Sequence, residues 1–166
     1  NLDLGDEITI PRHSYCSIPM AVKLAGYKLN LETIEWSGYY QLKPYPVYDA
    51  AVRFRKNMFV GDVDNEYSYH CISFQLKKRL PIGKGGMILT DNPDAYNALK
   101  KMSYDGRNPD VPWREQDIQT IGYHYYMTPE TAQLGLEKLQ KAIETEPKKW
   151  TITDWPDLTN MNVFRD

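Results

Sequence analysis

The sequence predicts an α/β protein, a three-layer sandwich with a mostly parallel sheet. Three observations carry that expectation. Short alternating apolar runs take turns with segments of helical period along the chain. The 166 residues have the size of one domain and are enough to bury a real core. Apolar residues at 42% and charged residues at 25% lie near globular averages, which excludes wholesale disorder.

The elements follow in order. Glu7-Ile8-Thr9-Ile10-Pro11 alternates and stops at a proline, so it reads as a strand. Ser17 as N-cap, Pro19 in the first turn, and Ile18, Ala21, Val22 and Ala25 at helical spacing predict a helix that Gly26 closes. Residues 27–46 are rich in Tyr, Lys and Pro, with no period, and read as short strands and loop. Tyr45 to Tyr48 predicts a strand ending in the carboxylate Asp49, followed by a turn-like stretch over 55–68. Tyr69 to Phe74 is the next strand, and Gly85 to Thr90 another, entered through glycines. Asn92 and Pro93 open a helix with Ala95, Ala98, Leu99 and Met102 as its apolar stripe. A loop over 103–117 leads on to the longest helix, from Thr128-Pro129 to about Glu144, with the stripe Ala132, Leu136, Leu139 and Ile143. The tail after Pro147 has no period, and no repeat or second domain is visible.

Composition narrows the function. Net charge is −2, against the basic excess of a dedicated nucleic-acid binder. No apolar run approaches the ~20 residues of a membrane helix. The first residues, Asn1 to Pro11, show neither a basic n-region nor an apolar h-region, so a cytoplasmic location is expected. The chain opens without an initiator Met, as a processed or truncated chain does. Cys16 and Cys71 read as two buried free thiols in a reducing compartment, with a disulfide as the other reading. His13, His70 and His124 lack metal-ligand spacing, so structural or solvated roles are expected and no metal site. Gly83-Lys84-Gly85-Gly86 matches no phosphate-binding loop and precedes a strand, as a hairpin-like turn does. The 13 tyrosines offer flat apolar area with a polar tip, suited to interfaces and ligand pockets.

One segment stands out for chemistry. In Ser73-Phe74-Gln75-Leu76-Lys77-Lys78, a hydroxyl, an amide and two lysines crowd the end of a predicted strand. Asp49 ends another. Ligands of open α/β sheets gather at the carboxyl ends of strands, so an acid, a hydroxyl and a lysine can converge on one rim. A solvated basic turn is the plainer reading of the same residues.

The chain also resembles the sugar aminotransferase family known as DegT/DnrJ/EryC1/StrS, of the fold-type I pyridoxal-phosphate (PLP) architecture. Gly5-Asp6-Glu7-Ile8-Thr9-Ile10-Pro11 with Ser14-Tyr15 resembles that family's GDEVI-P segment, and Asp49-Ala50-Ala51 its EDAA motif. Ser73-Phe74 with Lys78, five residues after Ser73, resembles SF---K. Gly85 to Asp91, Tyr104-Asp105-Gly106-Arg107, and Gly122 to Met127 through Gly135 resemble three further segments, all in family order. The resemblance implies a shortened PLP-transferase large domain over residues 1–146 and a tail over 147–166, with the small domain absent. It implies a PLP-dependent aminotransferase of a keto-sugar nucleotide, with glutamate as amino donor and a Schiff-base lysine.

Roles follow position by position. Lys78 is implied as the Schiff-base lysine and proton shuttle, and Asp49 as the partner of the pyridinium nitrogen. Ser73 is implied on the cofactor phosphate with Gln75 nearby, and Tyr15 against the ring face. His124 stands where the family reaches the cofactor of a neighbouring subunit, which implies a homodimer. Neighbours leaving a strand point to opposite sides, so Lys78 is expected to face the ring and Lys77 to point away or to hold a sugar-nucleotide phosphate. Departures accompany the match. Val52 replaces a polar residue, Lys77 and Lys84 are unusual, His124 and Tyr126 stand for Asn and Arg, and the stretch from Gly26 to Asp49 is short. They motivate an alternative reading: a non-catalytic shortened homologue that binds a ligand or partner as a dimer.

Overall fold

The structure, a computed structural model, describes residues 5–58, 67–146 and 148–165. Two sheets organise it. Strand β1 (Glu7–Pro11) pairs in parallel with β2 (Lys28–Glu32), from Glu7 opposite Lys28 to Pro11 opposite Glu32. Helix α1 (Ser17–Leu24) makes the crossover that a parallel pair requires. It ends as expected at Gly26, whose φ is +84°. The Gly26 amide donates to the Lys23 carbonyl and the Tyr27 amide to the Val22 carbonyl, the paired bonds of a Schellman cap. Its N-cap is Cys16 rather than Ser17, and no side chain caps it.

The second sheet runs β3 (Tyr40–Gln41), β4 (Val47–Asp49), β5 (Tyr69–Ser73), β6 (Gly86–Leu89) in spatial order. Only β4–β5 is parallel there; β3–β4 and β5–β6 are antiparallel. The α/β class holds, while the expected mostly parallel sheet is a mixed one. The reason is local. No crossover helix separates β5 from β6, so the chain can only fold back, and Gly83 to Gly86 forms the return of the hairpin. Gly86 sits opposite Ser73, where a Cβ would stand 2.3 Å from the Ile72 carbonyl oxygen, so no other residue fits that approach. A bridge between Thr9 and Lys43 joins the two sheets.

One core cluster gathers Ile8, Ile10, Val22 and Tyr40 around the small sheet, the other Ala50, Ile72, Phe74, Leu80, Ile82 and Ala142 around the large one. Helix α2 (Pro93–Ser103) starts as predicted, with the Asn92 side chain accepting from the Asp94 and Ala95 amides, yet none of its residues is fully buried. Helix α3 (Pro129–Glu144) packs a face rotated from the predicted stripe: Leu136 is exposed, while Leu134, Leu139 and Ala142 meet the core. Gly135 lies against Ile82 on this packed face, where even a Cβ would make ordinary contact, 3.8 Å from the Ile82 side chain. The loop expected over 103–117 contains one short 3-10 turn, Trp113–Glu115. Of the turn-like stretch at 55–68, residues 59–66 lie outside the described residues.

The tail is where the fold departs furthest from an aperiodic reading. Three 3-10 turns, Ile152–Asp154, Leu158–Asn160 and Asn162–Phe164, carry it back onto the first strand. The Asp157 carboxylate accepts from both Nε and Nη2 of Arg12, and the Leu158 amide donates to the Arg12 carbonyl at 2.9 Å. Leu158 has no exposed surface. Leu158→Ala is therefore expected to cost about 2–5 kcal/mol, measured as a lower denaturation midpoint in urea.

Both cysteines are free and half-buried, so the disulfide reading fails, and the thiols are less buried than expected. His70 is fully buried between the rings of Tyr48 and Tyr39, a structural histidine. No helix among the described residues is long and apolar enough to cross a membrane.

Candidate active site

The parallel pairing of β4 with β5 sets Asp49 beside Cys71 and brings the carboxyl ends of both strands to one rim. A cavity of about 480 Å3 opens there. Tyr15, Asp49, Ser73, Gln75 and Lys78 all line it, so five of the six residues expected from the sequence share one space.

Asp49 is the electrostatic centre. Its Oδ1 accepts from the Ala51 amide at 2.9 Å, which fixes the carboxylate in the turn that follows the strand. Burial raises its pKa above the ordinary value, against the lowering effects of the Ala51 amide, the Tyr40 hydroxyl and the Lys78 charge. Burial, with Asp49 beside it, pushes the Cys71 thiol up to about 11, so this cysteine is a neutral neighbour and not a nucleophile. The Tyr40 phenol is likewise raised, by burial first and by Asp49 second.

Lys78 is half-buried at the same rim, with Nζ 6.0 Å from the centroid of the Tyr15 ring. Burial lowers its pKa, and the Asp49 charge partly restores it. A desolvated amine gives up its proton more easily and becomes nucleophilic. The expected division between the two lysines does not arise by strand alternation. β5 ends at Ser73, the lysines lie in the turn beyond, and both line the cavity. Burial separates them instead: Lys77 is exposed and Lys78 is not.

Ser73 and Gln75 shape the turn that carries Lys78. The Ser73 hydroxyl accepts from the Gln75 amide at 3.4 Å, and Gln75 Oε1 accepts from the Lys77 amide at 2.8 Å. The Lys78 amide in turn donates to the Gln75 carbonyl at 2.8 Å.

His124 stands apart from this cavity. Its ring lies 3.1 Å from Asp105 and 4.4 Å, centroid to centroid, from Tyr126, with 69% of the side chain exposed. The bridge between Tyr104 and His124 holds it at the surface.

Sequence reasoning missed one whole wall. Trp36, Trp150 and Trp155 line the cavity, with Trp155 stacked on Trp36 at 6.1 Å and on Trp150 at 5.2 Å and set edge-on to Tyr15 at 6.1 Å. Two of the three come from the tail. The available signal was compositional: tryptophan is a costly residue to leave in an exposed tail, and two of the chain's four lie at 150 and 155.

The set fits a flat, cationic, aldehyde-bearing heterocycle. A buried carboxylate asks for a proton-bearing partner, an aromatic wall accepts a planar ring, and a desolvated amine faces the same space. The cavity volume is within the range of small-molecule sites, ~300–1,000 Å3. Among the described residues no group of three or more His, Cys, Asp or Glu is placed to hold a metal ion.

Three comparisons bear on this arrangement. The model of the DegT/DnrJ/EryC1/StrS aminotransferase family matches residues 48–155. An uncharacterized protein of Methanocaldococcus jannaschii is 30% identical over 95 residues, covering 52% of this chain and 24% of that protein. A solved structure of a Bacillus cereus protein assigned as a PLP-dependent aminotransferase superposes with a TM-score of 0.66 at 18% identity, over 85% of this chain and 48% of the other. The chain thus spans less than half the length of the relatives it matches.

Proposed function

From the premise that the chain belongs to the DegT/DnrJ/EryC1/StrS aminotransferase family, we propose that its cavity is the cofactor site of a pyridoxal-phosphate-dependent aminotransferase acting on a keto-sugar nucleotide, with glutamate as amino donor. The observation that carries this reading is the convergence of Asp49, Lys78 and Tyr15 on one rim. When bound, pyridoxal phosphate supplies an electron sink for the charge that develops when a proton leaves the amino-bearing carbon of the substrate.

The remaining chemistry falls to the chain. Asp49 would pair with the ring nitrogen of the cofactor and keep a proton on it, a pairing that low solvent exposure strengthens. Lys78 Nζ would hold the aldehyde end of the cofactor, and it is the group that would move a proton at the substrate carbon. Tyr15 and the tryptophan wall would hold the flat ring of the cofactor by stacking. Ser73 and Gln75, which also line the cavity, would hold the phosphate. His124, exposed and held by Asp105, is the residue offered to the site of a second copy, so the working unit is a homodimer.

The test is optical. Purified protein with pyridoxal phosphate should turn yellow, and added glutamate should bleach the colour as the amino group is taken up. Colour without bleaching would leave a binding protein, and no colour would overturn the cofactor site.

A further inference from the structure

Strand β3 sets a tyrosine beside the central acid of the site. In the antiparallel pairing of β3 with β4, Tyr40 stands directly opposite Asp49. Directly opposite residues share one face of a sheet, with Cβ atoms roughly 4.5–5.5 Å apart. Both side chains line the cavity. On the other side of β4, Cys71 of β5 is paired with Asp49. The acid thus sits between a phenol and a thiol.

The phenol is held where it is. Tyr40 is buried and packs in the core with Ile8, Ile10 and Val22. Trp36 meets its ring edge-on at 4.9 Å between centroids, and Trp36 Nε1 donates to the His13 carbonyl at 2.8 Å. A ring so clamped cannot swing its hydroxyl to a distant acceptor. Yet that hydroxyl is buried with no hydrogen-bond partner among the described residues, which is costly for a donor. Two polar side chains lie within its electrostatic reach, Asp49 and Ser14. Ser14 is fully buried and gives its own proton to the Pro11 carbonyl at 3.1 Å. Asp49 Oδ1 takes the Ala51 amide. Asp49 Oδ2 is the charged acceptor left to the phenol, and charged acceptors hold a donor most strongly.

We infer that Tyr40 is a positioning residue of this site: when Asp49 ionises, the phenol closes onto Oδ2 and holds the carboxylate charged and aimed into the cavity. The inference rests on the function proposed above for the cationic ring nitrogen that such a carboxylate would meet. The other groups facing Asp49 cannot substitute for the phenol. The Cys71 thiol is a weak donor. The Ala51 amide occupies the other oxygen. Lys78 supports Asp49 by its charge, from the turn beyond β5, and loses that charge whenever its amine becomes nucleophilic. Tyr40 is the neutral donor that stays.

The experiment follows the Asp49 carboxyl carbon by NMR through a pH titration of the chain without cofactor, with Asp49→Asn to identify its signal. Tyr40→Phe keeps the ring against Trp36 and removes only the hydroxyl, so the Asp49 midpoint is expected to rise by about one pH unit. A monofluorinated tyrosine in place of Tyr40 is a stronger donor and should move the midpoint below that of the wild type. Opposite signs from two replacements of similar shape would not come from a repacked core. An unmoved midpoint in Tyr40→Phe, or a rise with both replacements, overturns the inference. Should Tyr40→Phe fail to fold, the fluorinated chain decides alone: a lower midpoint supports the inference and any other result overturns it. In an absorbance titration at pH 7, Tyr40→Phe should bind pyridoxal phosphate about three- to tenfold more weakly. A shifted midpoint in a chain that binds no pyridoxal phosphate supports Tyr40 and sinks the cofactor reading. Pyridoxal phosphate held on Lys78 with the midpoint unmoved leaves that reading standing and sinks the role of Tyr40.

Discussion

Lys78→Ala is expected to abolish the covalent pyridoxyl adduct that borohydride fixes on the chain, whereas Lys77→Ala is expected to leave it in place. Both lysines line the same cavity, so access alone does not choose between them. Protonation does. An amine attacks a carbonyl only in its neutral form, and burial lowers the pKa of Lys78. Its Nζ also lies over the Tyr15 ring, on the side of the cavity where a planar ring would stack. Peptide mapping by mass spectrometry after reduction reads the outcome directly. An adduct on Lys77, or equal labelling of both, would overturn the assignment of Lys78 and with it the role of the turn built by Ser73 and Gln75.

The second large effect belongs to Asp49→Asn, and it has two signs. The amide keeps the shape and the bond from the Ala51 amide, but it cannot carry charge. Removing one member of a buried charge pair costs about 3–5 kcal/mol, so affinity for pyridoxal phosphate should fall by at least about a hundredfold in an absorbance titration. Without cofactor the same substitution should help the fold. The folded-state pKa of Asp49 is raised above its unfolded value, mainly by burial. Such a group contributes stability that is fully present below the unfolded pKa, about 3.9, and is lost as pH rises through the folded value. At neutral pH the wild-type chain therefore lacks the stability that this group contributes at low pH, and the variant carries no such cost. The variant should melt higher than the wild type at pH 7, with the gap closing as pH falls toward 4. A variant that melts lower at pH 7, with cofactor affinity intact, would make Asp49 a structural residue.

Much of the site was legible because it depends on strand ends. Asp49 and Ser73 each close an apolar run, and parallel pairing brings such ends together. The return through Gly83 to Gly86 was legible for a similar reason, since glycines before a strand mark a tight approach. Three things were not. The packed face of α3 departs from its apolar stripe because it is set by tertiary contacts, with Leu134 and Ala142 meeting the core while Leu136 stays exposed, and no local period encodes them. The orientation of the two lysines depended on where β5 stops, and a one-residue change in a strand end undoes an alternation argument. The tryptophan wall depended on contacts between residues far apart in sequence, such as Trp36 with Trp155, which no local period encodes. Five of the expected site residues meet, and the wall that encloses them came from segments that sequence patterning left blank.

That wall has a consequence for synthesis. Arg12 and Asp157, which fasten the tail to the first strand, are separated by 145 positions. At ribosomal speeds of ~5–20 residues per second, on the order of ten seconds pass between the emergence of β1 and the arrival of the segment that covers it. During that interval Tyr15 and Trp36 have no Trp155 to meet, and the edge of the small sheet lies open to solvent. Helices and hairpins can form as they emerge, but the pocket cannot. The wall of the pocket is thus complete only after residue 155 has emerged, timed by the distance along the message between two ends of one ion pair.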